Sequence, residues 1–332
     1  MDIILSKIFL DKLSEFRKNA FTNEDENMIL LSSKIIRFLN SKLNIVTNID
    51  QVEVRNCYSN NIGTKEFKTI KDSIIHKLIK NGYAYNDLKE ISKVDCKSFL
   101  FTDNSCSTNI DDGIIEVNFD KQKEEFYLNS IVTQRTFKNE YEELEKYVPM
   151  CNSMLYIDPY ILEGKKEDRK IKNENFIKFL KAFIKPLQNV NFHLTIISKL
   201  GQYDRNKKEF VVVNEQNIKD LLFALQKINN LEYELFLAEN LFYGSDFQDR
   251  YRDRVFFTNY TKGSFGHPND GKTTYFNQNF MAISTDVDKD YNDYLKELKV
   301  WLNFINKIPA TKKNTKTKYG NLKEQNRLFK SL

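Results

Sequence analysis

A chain of 332 residues, 41% hydrophobic and 29% charged with only 10 glycines, has room for two or three domains with real interiors and falls outside the disordered and collagen-like classes. No apolar run approaches the roughly 20 residues that span a bilayer. Acids at Asp2, Asp11 and Glu15 interrupt the N-terminal apolar stretch, unlike a secretory signal, so a cytoplasmic protein is expected. The net charge of +5 is concentrated at the C-terminus: residues 310–332 hold seven basic side chains against Glu324, leaving residues 1–309 near −1. Such a segment either neutralises phosphates or simply solvates the chain end.

Apolar spacing predicts a helix-rich first third. Met28, Leu31, Ile35, Leu39 and Leu43 recur at helical period, as do Phe67, Ile70, Ile74 and Leu78. Residues 113–130 read as two short strands around a polar turn, giving a small α+β module over residues 1–135. A helix is expected over 136–148, with the domain boundary near 130–150. Beyond it the chain alternates. Strands are predicted at 153–162, 192–198, 211–213, 231–238 and 255–260. Helices are predicted around Phe176–Leu187, after an N-cap at Asn214, and over 288–307, and a polar loop is expected after Ser198. This order predicts an α/β domain over 150–308, a mixed sheet covered by helices, followed by a basic tail over 309–332.

The four cysteines, Cys57, Cys96, Cys106 and Cys151, lack metal-ligand or redox spacing and read as buried reduced thiols. Neither a metal nor another cofactor is expected. His76 and His193 fall within apolar patterns, and His267 alone lies in loop-like sequence.

The densest charged cluster spans residues 247–272. Arg250, Arg252 and Arg254 alternate, so an extended segment would present a row of guanidinium forks suited to phosphate oxygens. The competing reading pairs them with Asp246, Asp249 and Asp253 in a surface ladder. Gly263, Gly266 and Gly271 follow, with His267 among them, as a turn able to offer backbone N–H groups to an anion. Asp158 and Tyr160 follow the first predicted strand, where Asp-Pro is also an ordinary turn device.

RDRVFFTNY and its glycine-bearing loop resemble a segment of degenerate phospholipase D-like domains. These include the C-terminal domain type of microtubule-interacting-and-trafficking proteins and bacterial relatives encoded with defence or mobile-element genes. YIDPYIL and HLTIIS resemble their first two core strands, so the likeness covers residues 150–308. It implies a phospholipase D-like sheet and, by association, a bacterial antiphage or mobile-element setting. Arg252 stands at the histidine position of that segment, and no H-x-K occurs anywhere in the chain. Arginine stays protonated and cannot attack phosphorus, so the resemblance implies a non-catalytic phosphate-binding or scaffold domain.

The expected site gathers Asp158, Tyr160 and Lys199 at strand ends, where crevices of α/β sheets collect ligands. Arg250, Arg252, Arg254 and His267 join them, with Asp253 fixing an arginine, Asn259 orienting a loop, and tail lysines Lys312, Lys313, Lys316 and Lys318 contributing charge. Nucleic acid is the expected partner. A protein partner or homo-oligomer is an alternative, and a membrane is not expected. A metal-dependent nuclease using Asp158 or the Glu163-Gly164-Lys165 segment is the competing enzymatic reading.

Overall fold

Buried strands alternating with amphipathic helices leave one economical arrangement from Ser153 onward, a sheet with helices on its faces. The computed structural model describes residues 2–5, 7–30, 32–33, 44–47, 49, 52, 99–102, 115–118, 134–137, 151–164, 166–184, 191–204, 206, 208–239, 254–259, 261–265, 274–280 and 287–329. These form two units, one of residues 1–131 and 281–292, the other of residues 132–280 and 293–332.

In the first unit, β1 (Asp2–Leu5) leads directly into α1 (Lys7–Thr22), which buries Leu10, Leu13 and Ala20. With β2 (Asn44–Thr47), β3 (Phe99–Thr102) and β4 (Ile115–Asn118), β1 forms a four-stranded sheet of order β2-β1-β3-β4, parallel throughout. Of the hairpin expected over 113–130, the first strand is present as Ile115–Asn118, which pairs in parallel with β3, and the second strand lies outside the described residues. The expected helix at 67–78 also lies outside them, while residues 26–30 and 32–33 are helical.

The second unit holds an eight-stranded mixed sheet. Its strands are β5 (Gln134–Phe137), β6 (Ser153–Ile157), β7 (Phe192–Lys199), β10 (Leu231–Ala238), β11 (Arg254–Thr258), β12 (Thr261–Phe265), β13 (Thr274–Phe280) and β16 (Lys318–Gly320), in the order β16-β10-β7-β6-β11-β12-β13-β5. The neighbouring strands β6, β7 and β10 run parallel, and every other pairing is antiparallel. A hairpin of β8 (Gly201–Asp204) and β9 (Glu209–Val212) replaces the polar loop expected after Ser198. Gly201 is required there, since a Cβ would lie 2.2 Å from the Val211 carbonyl oxygen. Phe137, expected to begin a helix, is the last residue of β5.

Alternation along the strands sorts the two faces. Tyr156 and Phe256 meet Phe176, Phe179 and Phe183 of α2 (Lys166–Ile184), with ring centroids 4.6–5.9 Å apart. Beside α2 lies α3 (Glu215–Gln226), whose N-cap Asn214 accepts from the Gln216 N–H as the sequence predicts. Phe257 on the other face meets Tyr294 of α4 (Val287–Asn306), whose Leu298, Trp301 and Ile305 are buried.

The C-terminal segment, expected to be a basic tail, is part of this fold. A short hairpin of β14 (Thr311–Lys312) and β15 (Thr315–Lys316) leads to β16, which pairs with β10. Gly320 has φ +133°, and a Cβ there would lie 2.1 Å from the Tyr233 carbonyl oxygen. Beyond it, Asn326, Leu328 and Phe329 are buried. The Asn326 amide donates to the Met154 and His193 carbonyls and to Thr195 Oγ1, at 2.9–3.3 Å.

Thr195 Oγ1 in turn donates to Glu234 at 2.7 Å, and Lys318 approaches the same carboxylate at 3.6 Å. Burial pushes the Glu234 carboxyl above its ordinary value, and Thr195 and Lys318 offset only part of this. The folded chain therefore holds this proton more tightly than the unfolded chain. Its contribution to stability is largest at low pH and declines as pH rises from the ordinary carboxyl value to the raised one. Glu234→Gln is expected to flatten the stability curve across that window, as read by thermal unfolding at a series of pH values. An unchanged slope would discard this role.

Candidate functional site at the strand ends

Chain direction brings the carboxyl ends of β6, β7 and β10 to one end of the sheet, and the antiparallel β11 begins there too. Asp158 follows β6 and Arg254 opens β11, so the two meet although 96 positions apart. Arg254 Nε donates to Asp158 Oδ2 at 2.8 Å, and the side chains are 5% and 3% exposed. Asp158 Oδ1 accepts the Tyr160 N–H at 2.8 Å, the Asx turn characteristic of Asp-Pro, and the Tyr156 hydroxyl donates to Oδ2 at 3.3 Å. Burial is the strongest single influence on the Arg254 guanidinium and lowers its pKa. Asp158, with Tyr156 and Tyr160, outweighs it and leaves the group above its ordinary value. Arg254 therefore keeps its charge, and the two side chains are buried against each other.

The same end of the sheet carries two further cation and acid groupings. Lys199, the last residue of β7, forms an ion pair with Glu163 and sits 4.6 Å from the Tyr160 ring centroid. Lys312 and Lys313 reach Glu239, just past β10, at 3.4 and 2.8 Å, and Lys313 lies 3.6 Å from the Phe210 ring centroid. Those lysines hold the Glu239 carboxyl below its ordinary value. Lys318 and Lys316 stand on Phe236 and Tyr319, at 5.0 and 5.2 Å. Much of the basic charge in this segment thus has an acid or aromatic partner within the unit.

The structure gathers Asp158, Tyr160, Lys199, Arg254, Lys312 and Lys313 at one end of the sheet, but not Asn259. Asn259 lies past the other end of β11, five residues and about 16 Å along the strand. There its Oδ1 accepts the Asn152 and Ser153 N–H groups at 3.0 and 3.2 Å and its Nδ2 donates to Asn152 Oδ1, tying down the start of β6. It orients a strand end remote from the cluster. The partner of Arg254 is Asp158, whereas Asp253, expected to fix an arginine, lies outside the described residues. So do Arg250, Arg252 and His267.

Gly263, read as part of an anion-binding turn, lies within β12 opposite Phe256 and Gln278. Gly266 and Gly271 lie outside the described residues. His193 is a buried strand residue. Cys151 is fully buried, and burial pushes its thiol up, as the reduced-thiol reading expects; the other cysteines lie outside the described residues.

Sequence reasoning missed Glu239 and assigned Glu163 to a different chemistry. Neither announces its partner by spacing, because Lys199 and Glu163 meet only through the parallel pairing of β6 with β7. Both carboxylates invoked for a metal-dependent nuclease, Asp158 and Glu163, face cations. Among the described residues no group of three or more His, Cys, Asp or Glu side chains is placed to hold a metal ion, and no helix is long and apolar enough to cross a membrane.

No family model matches the chain, and no curated protein matches it. Among solved structures it is similar to Marinitoga piezophila Argonaute in complex with 5′ OH guide RNA, at 12% identity and a TM-score of 0.19, over 83% of this chain and 45% of that one. The chain thus spans less than half of that Argonaute, and a likeness this shallow carries no argument.

Proposed function

We propose that the protein is a non-catalytic binding and scaffold protein whose second unit is a degenerate phospholipase D-like domain, with nucleic acid as its phosphate-bearing partner. The observation carrying the non-catalytic reading is the closed Asp158–Arg254 pair at the strand ends. A reacting group there would need an accessible nucleophile or acid, and these side chains are buried and neutralise each other.

Phosphate binding falls to cations with freedom to move. Among the described residues, Lys312 and Lys318 are half or more exposed; the sequence adds Arg250 and Arg252 as further candidates by their alternate spacing. A surface ion pair contributes only about 0–1 kcal/mol, so a polyanion can displace Glu239 or Glu234 from such lysines. A setting among bacterial antiphage or mobile-element systems belongs to the same proposal and rests on the resemblance alone.

The test is fluorescence anisotropy with single- and double-stranded DNA and RNA at two salt concentrations, with and without Mg²⁺, followed by a gel of the same samples. Intact substrate, binding that weakens steeply with salt, and a loss of about 10-fold or more in Arg250→Glu/Arg252→Glu are expected. Metal-dependent cleavage would replace this reading with the nuclease. Absence of binding would replace it with a protein-interaction subunit.

A further inference from the structure

A groove of about 830 Å³ is lined by α2 and α3. Its floor is apolar, formed by Ile177, Phe223, Ala224 and Ile228, and Phe223 is 60% exposed although it lies on a well-packed helix. A large aromatic turned outward beside its buried helix neighbours Leu221 and Leu225 is a feature that marks association surfaces. Lys227 Nζ stands 4.0 Å from the Phe223 ring centroid, a contact an incoming apolar side chain can displace.

The rim identifies the occupant. Lys166, Lys170, Lys178, Lys181 and Lys227 line it, against Glu167, Glu174 and Asp220. Asp220 is already engaged, accepting from Gln216 Nε2 at 2.7 Å and approached by Arg169 at 3.9 Å, so the remaining rim is clearly positive. The two lysines next to the apolar floor, Lys178 and Lys181, lie in the last two turns of α2. A nucleic acid would place phosphates beside Glu174, which interrupts the lysine row at four-residue spacing from Lys170 and Lys178, and would leave most of the aliphatic floor uncovered. A helix carrying an apolar stripe flanked by acids satisfies both features, burying its stripe on Phe223 and Ile177 and placing carboxylates against the lysines.

We propose that this groove docks an acidic amphipathic helix of a partner protein, which would lie along α2 and α3 as a third helix on that face of the sheet. Phe223 is its central apolar anchor, and Lys178, Lys181 and Lys227 select for negative charge. The groove shares no residue with the strand-end cluster, and the proposal does not depend on nucleic-acid binding.

The test titrates the full chain into three labelled probes: an acidic amphipathic helical peptide of about five turns with leucines along one stripe, the same peptide with lysine for every glutamate, and single-stranded oligothymidylate. Saturable binding of the acidic peptide is expected. It should weaken about 10-fold or more in Phe223→Asp, and Lys178→Glu/Lys181→Glu should shift preference to the basic peptide. Both changes are at exposed positions and should leave the thermal midpoint close to that of the parent chain, which the same samples report. Failure of the acidic peptide to bind overturns the proposal, as does binding unaffected by these variants. Competition at Phe223 by oligothymidylate would reassign the groove to nucleic acid. Concentration-dependent self-association abolished by Phe223→Asp would reassign it to a second copy of the chain.

Discussion

Arg254→Ala is expected to destabilise the second unit by about 3–5 kcal/mol and to lower its thermal midpoint by on the order of 10 °C, because it strands Asp158 as an unpaired carboxylate in the interior. The guanidinium is 5% exposed and its partner 3%, so water cannot replace the lost contact without opening the joint between β6 and β11. Asp158→Asn should behave differently. It keeps an acceptor for the Tyr160 N–H and removes only the charge, leaving a buried arginine to find another counter-ion. Combining Arg254→Met with Asp158→Asn removes both charges and should recover stability relative to Arg254→Ala, because the cost of a broken pair comes mainly from the charge left behind. The single tryptophan, Trp301, is 1% exposed in this unit and reports its melting by fluorescence. Single and double variants of equal stability would show that the pair is structurally idle. The result also governs binding experiments. A loss of affinity in Arg254→Ala would report a damaged fold, so Arg250 and Arg252 are the arginines to change when phosphate contact is in question.

Much of the second unit was legible because each element carries its own periodicity. Leu231–Ala238 is the predicted strand residue for residue, Phe192–Lys199 extends its prediction by one residue, and α4 differs from its predicted bounds by one residue at each end. Asn214 caps α3 because its side chain can accept an orphan N–H, a local device that a sequence displays. The candidate site was less legible for a corresponding reason. Asp158 and Arg254 meet through an antiparallel register between strands 96 positions apart, and alternation does not reveal which strands are neighbours. Of the arginine row only Arg254 lies among the described residues, and alternation alone does not distinguish an outward face from an inward one. Arg254 shares a face with Phe256, which packs on α2, and is accordingly inside. Composition misled most at the C-terminus, where lysines and polar residues outnumber apolar ones but the few apolar and amide side chains are the ones buried.

Deleting residues 310–332 is expected to abolish stable folding of the second unit, an outcome opposite to that of trimming a solvated tail. The deletion removes β16 from β10 and with it the Leu237 N–H donation to the Thr317 carbonyl at 2.8 Å. It also removes Asn321 Oδ1, which accepts the Tyr233 N–H at 2.9 Å, and the Asn326 amide that satisfies three acceptors between β6 and β7. Leu328 and Phe329, 1% and 3% exposed, leave as well, each worth about 2 kcal/mol of burial. Several buried hydrogen bonds at about 1 kcal/mol each bring the loss into the range of a whole domain's stability, about 5–15 kcal/mol. The contrasting variant keeps every residue and changes only charge: Lys312, Lys313, Lys316 and Lys318 to Gln. These lysines make surface contacts of about 0–1 kcal/mol each, so the fold should survive while any salt-dependent binding of nucleic acid declines. Trp301 emission, near-ultraviolet circular dichroism and size-exclusion chromatography separate the two cases. A deletion variant that is monomeric and melts within a few degrees of the full chain would show the segment to be an appendage. A quadruple variant that folds but binds no less tightly would remove its lysines from the binding surface and leave the segment a purely structural role.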